Sequence, residues 1–223
     1  MEQPVRVLDD WWLTPERAAV HLPTATAVVA DLHLGYEHAR QRRGDAIPAL
    51  PLARRLAPLA ALCLRSDVRS LAVAGDLFEE GRACAETAQE LRAWLAETGI
   101  ALAGIVPGNH DRGFDGVVGL GPLCPDGLTL GPWRVVHGDG PTDGARLVYG
   151  HWHPCVRRQG RAMPCFLVGE QSLVLPAYSV DAAGGNVRGV ARWRDFRCYA
   201  IAQGQVLDLG AVSRGKPRRV ERS

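Results

Sequence analysis

The sequence predicts an α/β domain in which two mixed β-sheets pack as a sandwich with helices along its flanks. Three observations carry that prediction. Short apolar runs bounded by Gly or Pro recur through the first two-thirds of the chain, as buried strands do. Two stretches among them repeat their apolar residues at helical spacing. Past residue 160 strand-like pieces follow one another without a helix between them, and these suggest further sheet.

The runs TAVVA (26–30), SLAVA (70–74), IALAGIV (100–106), WRVV (133–136) and RLVY (146–149) are compact and rich in Val, Leu and Ala. Residues 52–65 carry a helical apolar stripe, which Pro58 is expected to bend or shorten because proline lacks a backbone donor. The stretch AETAQELRAWLAET (85–98) reads as a helix closed by Gly99. Later come PCFLV, SLVLPAYSV and FRCYAIAQGQVLDLG, the last with the form of a hairpin about Gln203–Gly204.

At 223 residues, 47% hydrophobic and 22% charged, the chain has the size and apolar content of one globular domain. Residues 1–212 are assigned to that domain, and 213–223 to a basic tail expected to be flexible. The six cysteines are scattered without a CxxC pair, and the N-terminus has no basic-then-apolar secretory pattern. No apolar run approaches the roughly 20 residues of a membrane span. A cytoplasmic protein with reduced thiols and no membrane partner is expected. The net charge of +2 excludes little, but arginine is locally dense at Arg40, Arg42 and Arg43, at Arg157, Arg158 and Arg161, and in the tail.

Each early apolar run ends in residues able to bind metal or move protons. VVA leads to Asp31 and His33, and LAVAG to Asp76. IVPG leads to Asn109, His110 and Asp111, RVV to His137, and LVYG to His151 and His153. In open α/β sheets the ligand crevice lies beyond the carboxyl ends of the strands, so these residues are expected to converge. Any one of the histidines alone is better read as a hydrogen-bonded core residue; the ordered set of five strand ends is not.

The residue types suit a pair of divalent ions roughly 3.5–4 Å apart, which need an anion between them. Asp76 is the expected bridge. Asp31, His33 and His153 would complete one metal, and Asn109, His137 and His151 the other. The i, i+2 spacing of Asp31/His33 and of His151/His153 suits extended backbone, where alternate side chains share a face. Imidazole and carboxylate without thiolate favour Mn, Fe, Zn or Co, and Cys155 is not needed as a ligand. His110 is left over as a general acid for the leaving oxygen, oriented by Glu79 or by Asp111. Asp76, Asn109 and His110 are thus the catalytic candidates. The expected step is in-line attack on phosphorus by a hydroxide bridging the two ions.

DLHLG (31–35), GDLFE (75–79), GNHDR (108–112), VHGD (136–139) and GHWHP (150–154) resemble the signature of the calcineurin-like metallophosphoesterases. The resemblance spans roughly residues 5 to 190 and implies an αββα sandwich with a dimetal site at its edge. A narrower likeness lies in RAAVHLPTATAVVADLHLG, an Arg-rich stretch to IPALP, PCFLVGEQSLVLPAYS and AAGGN. These segments resemble the bacterial DNA-ligase-associated metallophosphoesterases. That likeness implies a manganese-dependent phosphodiesterase and single-strand DNA endonuclease associated with repair ligases and helicases. The chain departs from the pattern at Tyr36, where lysine is usual, and at Glu79–Glu80; neither position is expected to touch a metal ligand.

For substrate, the segment EHARQRRGD (37–45) reads as a loop that would bring Arg40, Arg42 and Arg43 to the cleft mouth. Arg112 is placed to hold a phosphate oxygen, and Tyr36 and Trp152 to stack on bases of single-stranded DNA or RNA. A small-molecule phosphoesterase acting on nucleotides or phosphomonoesters is the second reading. A non-catalytic scaffold is the third, and the complete ligand set argues against it.

Overall fold

The structure is a computed structural model, and it describes residues 4–115, 120–141 and 146–212. The basic tail 213–223 lies outside the described residues. The first sheet holds β1 (Val5–Val7), β2 (Trp11–Leu13), β3 (Ala19–His21), β4 (Thr26–Val29), β5 (Ser70–Ala74) and β6 (Ala101–Val106), side by side in chain order. Its first three pairings are antiparallel; β4–β5 and β5–β6 are parallel. Parallel neighbours need crossovers. Helices α1 (Tyr36–Arg42) and α2 (Leu52–Arg65) supply the first, and α3 (Ala85–Thr98) the second.

The second sheet contains β7 (Leu128–Leu130), β8 (Trp133–Val136), β9 (Arg146–Tyr149), β10 (Pro154–Arg158), β11 (Arg161–Val168), β12 (Ser172–Val174) and β13 (Gly185–Asn186). It also takes in β14 (Arg197–Ala202) and β15 (Gln205–Ala211). Its order is β13-β10-β11-β12-β9-β8-β7, with β14 joined to β11 and β15 to β14. The pairs β8–β9, β9–β12 and β10–β13 are parallel, so this sheet too is mixed.

Strand alternation sorts the core into layers. Ala27 and Val29 of β4, with Leu71 and Val73 of β5, face the helices, while Val28, Ala72 and Ala74 face the second sheet. There they meet Val135, Val148, Phe166 and Leu173. Trp11 and Trp133 close the inter-sheet core edge-to-face at 5.8 Å. Leu147 and Tyr149 point to the outer face of the second sheet, which is covered by residues 187–196 with a 3-10 turn at Ala191–Trp193. The expected sandwich is present, with its α-helices on the side of the first sheet.

Pro58 does not shorten α2, which runs through it from Leu52 to Arg65. The buried stripe Leu52, Leu56, Leu59 and Leu62 lies on one face and Pro58 on the exposed face. Each buried leucine contributes about 1.5–3 kcal/mol, enough to hold the helix across one missing backbone bond. Gly99 closes α3 as expected, and Gln203 and Gly204, both at positive φ, make the β14–β15 turn. Residues 36–42 are helical where a loop was expected.

Candidate metal centre

The five apolar strand ends converge as their order predicts, but by a different local geometry. Asp31 and His33 after β4 have φ of 53° and 47°, Asp76 after β5 has 47°, and His151 and His153 after β9 have 68° and 42°. The expected extended backbone is therefore absent; all five lie in the left-handed region. The chain turns sharply where each strand stops, and Asp and His tolerate this conformation better than most non-glycine residues.

Two close approaches make room for the carboxylates. A Cβ on Gly108 would lie 2.2 Å from Asp76 Oδ1, and one on Gly150 would lie 2.5 Å from Asp31 Oδ2. Only glycine fits there. Behind Asp31 the chain runs alongside β4: the Tyr178 and Ser179 amides donate to the carbonyls of Ala30 and Asp31 at 2.8 and 3.1 Å. Arg17 fixes that segment by donating to the carbonyls of Ala177, Tyr178 and Ser179. Sequence reasoning missed Arg17, whose local sequence gives no sign of contacts some 160 residues away.

Among the described residues the donor atoms fall into three groups. Asp31, His33 and His153 form one, Asp76, His137 and His151 a second, and His33, Glu79 and His110 a third. Asp31 is fully buried, with Oδ1 3.5 Å from His153 Nε2, while its carboxylate accepts the His151 amide. Asp76 Oδ2 stands 3.9 Å from His33 Nε2 and 3.5 Å from His137 Nε2. Asn109 Oδ1 and His151 Nδ1 each lie 3.1 Å from His137 Nε2.

Glu79 does touch a candidate ligand, contrary to expectation. Its Oε2 takes His33 Nδ1 at 2.9 Å, and its backbone carbonyl accepts from His110 Nδ1 at 3.0 Å. Asp111, buried, accepts the amides of Leu77, Phe78 and Gly108 and so ties together the turns that carry Asp76 and Asn109. Of the two carboxylates named for His110, Glu79 faces its ring and Asp111 faces the backbone.

The residues fit divalent cations. His33 Nε2 and His153 Nε2 are buried without a hydrogen-bond partner, each beside a carboxylate. His137 Nε2 and His151 Nδ1 face each other at 3.1 Å, in the same donor group as Asp76. No cysteine joins the groups among the described residues. Burial, and then the neighbouring His137, push the His151 imidazole below its ordinary pKa. Burial opposes protonation of His153 too, but the neighbouring Asp31 carboxylate outweighs it and raises this one. For Glu79, burial would raise the carboxyl, yet the His33 bond and the His33, His110 and Arg43 charges hold it low.

Around the rim, His110 keeps 38% of its side chain exposed. Arg42 and Arg43, at the end of α1, both donate to Glu80, next to Glu79, while Arg40 pairs with Asp45 and lies 6.0 Å from the Tyr36 ring. Arg112 is exposed beside Asp111, and Trp152 packs edge-on against His151.

No family model matches the chain, and no curated protein does. Among solved structures it resembles that of a Pseudomonas putida nuclease, MPE, at 26% sequence identity and a TM-score of 0.75. The match covers 93% of this chain and 99% of that one. Among the described residues no helix is long and apolar enough to cross a membrane.

Proposed function

We propose that this protein is a metal-dependent phosphodiesterase that cuts single-stranded nucleic acid, in its specific form a manganese-dependent DNA endonuclease serving repair alongside a ligase and a helicase. The observation that carries this reading is the place of Asp76, whose Oδ2 faces His33 on one side and His137 on the other. A single carboxylate between two imidazole-bearing groups is what a pair of ions requires. Likeness to a nuclease over nearly the whole of both chains supports the choice of nucleic acid.

Asp31, His33 and His153 would hold one divalent ion and Asn109, His137 and His151 the other, with Asp76 shared. When bound, such ions neutralise phosphate charge and act as Lewis acids. The chain's own part is orientation and proton transfer. The Glu79 carboxylate fixes the His33 ring with Nε2 turned to the centre. A carbonyl can only accept, so His110 Nδ1–H donates to Glu79 O, and in the imidazolium form the second proton, on Nε2, is the one free to pass to the leaving oxygen. Its exposure gives a bulky phosphodiester access to that nitrogen. Arg112, Arg40, Arg42 and Arg43, with Tyr36 and Trp152, would guide the strand.

The test is incubation of the purified protein with Mn²⁺ and circular single-stranded DNA, with bis-p-nitrophenyl phosphate in parallel and His110→Ala as control. Cleavage of the circle by wild type and not by the variant is expected. Hydrolysis of the small ester with the circle intact would end the nuclease reading and favour a small-molecule phosphodiesterase.

A further inference from the structure

Beside the centre, stacked on Trp152, lies an arginine that none of the steps above uses. Trp152 sits between the two site histidines His151 and His153, is 39% exposed, and meets the His151 ring edge-on at 5.3 Å. The Arg192 guanidinium lies over the Trp152 ring, 3.6 Å from its centroid, and 5.3 Å from that of Trp193. Trp193 is buried and packs against Phe196 at 5.3 Å and Trp152 at 6.1 Å. The 3-10 turn Ala191–Trp193 is thereby anchored through Trp193 while Arg192 stays exposed.

Arg192 differs from several of the other arginines near the site. Arg40, Arg42, Arg43 and Arg55 are each paired with a carboxylate. Among the described residues no carboxylate lies within ion-pair distance of Arg192. Stacking occupies the face of a guanidinium and leaves its edge of N–H donors in a planar fork, the shape that takes two phosphate oxygens at once. The stack also restrains the side chain, so less freedom is lost on binding.

We propose that Arg192, held on Trp152, is a subsite for a backbone phosphate adjacent to the one being cleaved in a single-stranded nucleic acid; this rests on the nuclease reading of the centre. The ring contact between Trp152 and His151 joins this arginine to the edge of the donor cluster, where a neighbouring phosphate of a bound strand would lie. A strand offers a phosphate there, and a small diester with a single phosphate does not.

The experiment measures binding of a fluorescein-labelled oligo-dT by anisotropy at several salt concentrations, without added Mn²⁺ so that the strand stays whole. Wild type, Arg192→Ala and Arg192→Lys are compared as full chains. Arg192→Ala is expected to weaken binding roughly tenfold and to lower the slope of log affinity against log salt by about 0.7, the loss of one phosphate contact on a single strand. Arg192→Lys is expected to restore the slope but only part of the affinity, because lysine keeps the charge without the fork. With Mn²⁺, the ratio of kcat/KM for the strand to that for bis-p-nitrophenyl phosphate falls at least severalfold in Arg192→Ala. Unchanged affinity and slope would overturn the subsite. So would equal losses on both substrates, which would mean that Arg192 merely props Trp152 against His151. Arg192-dependent binding by a wild type that leaves circular DNA intact would keep the subsite and sink the endonuclease.

Discussion

Asp76 Oδ1 accepts the backbone N–H of His110 at 2.8 Å while its Oδ2 faces His33 and His137. One carboxylate therefore stands between the two imidazole-bearing groups and holds the backbone of His110. Asp76→Asn keeps an acceptor for that amide and removes the charge. Metal content is expected to fall, and turnover of bis-p-nitrophenyl phosphate to drop on the order of 10²-fold or more. Near-normal metal content by elemental analysis would remove Asp76 from the bridging role.

Glu79→Gln leaves an oxygen for the His33 Nδ1 proton but not the negative charge behind the ring. Metal affinity is expected to weaken about 10–100-fold, as for other residues that orient a ligating histidine. Titration with Mn²⁺ followed by calorimetry checks this. An unchanged affinity would reduce the Glu79–His33 bond to a packing contact.

Gly108→Ala adds a methyl group 2.2 Å from Asp76 Oδ1. Asp76 or the turn must move, at a cost of about 1–3 kcal/mol by analogy with overpacked sites. Both the thermal midpoint and the metal affinity are expected to drop. A variant with wild-type affinity would show that the carboxylate has room to shift without consequence.

Asp111→Asn replaces one accepting oxygen by a donor that faces backbone N–H groups. Of the three amides it now satisfies, at least one loses its partner, for about 1–3 kcal/mol of stability. Chemical denaturation is the measurement. If His110 is oriented by Glu79 instead, the residual folded variant keeps turnover per bound metal close to wild type.

The convergence of the candidate donors was legible because they follow apolar runs, most of them closed by a small residue, and sheet topology carries strand ends to one edge whatever their distance in sequence. Fine geometry was not. A two-residue spacing of donors suggests extended backbone, yet Asp31, His33, His151 and His153 adopt positive φ, a conformation that the sequence announces clearly only where glycine stands. The strands β1, β2 and β3 escaped notice because three residues carry too little alternation to read. Helix α1 was read as a loop since its segment is mostly charged, with Glu37 and Ala39 buried. In α2 the pattern of leucines outweighed the single proline.

The left-handed residues set the centre against the fold that carries it. Each costs on the order of 1–3 kcal/mol where glycine would sit with little strain. Glycine at Asp31, His33, Asp76, His151 or His153 would relax the backbone and delete a donor in the same step. Selection for thermal robustness alone would therefore drift this chain toward a hardier protein with an inert crevice, and only selection for chemistry keeps Asp and His at these turns.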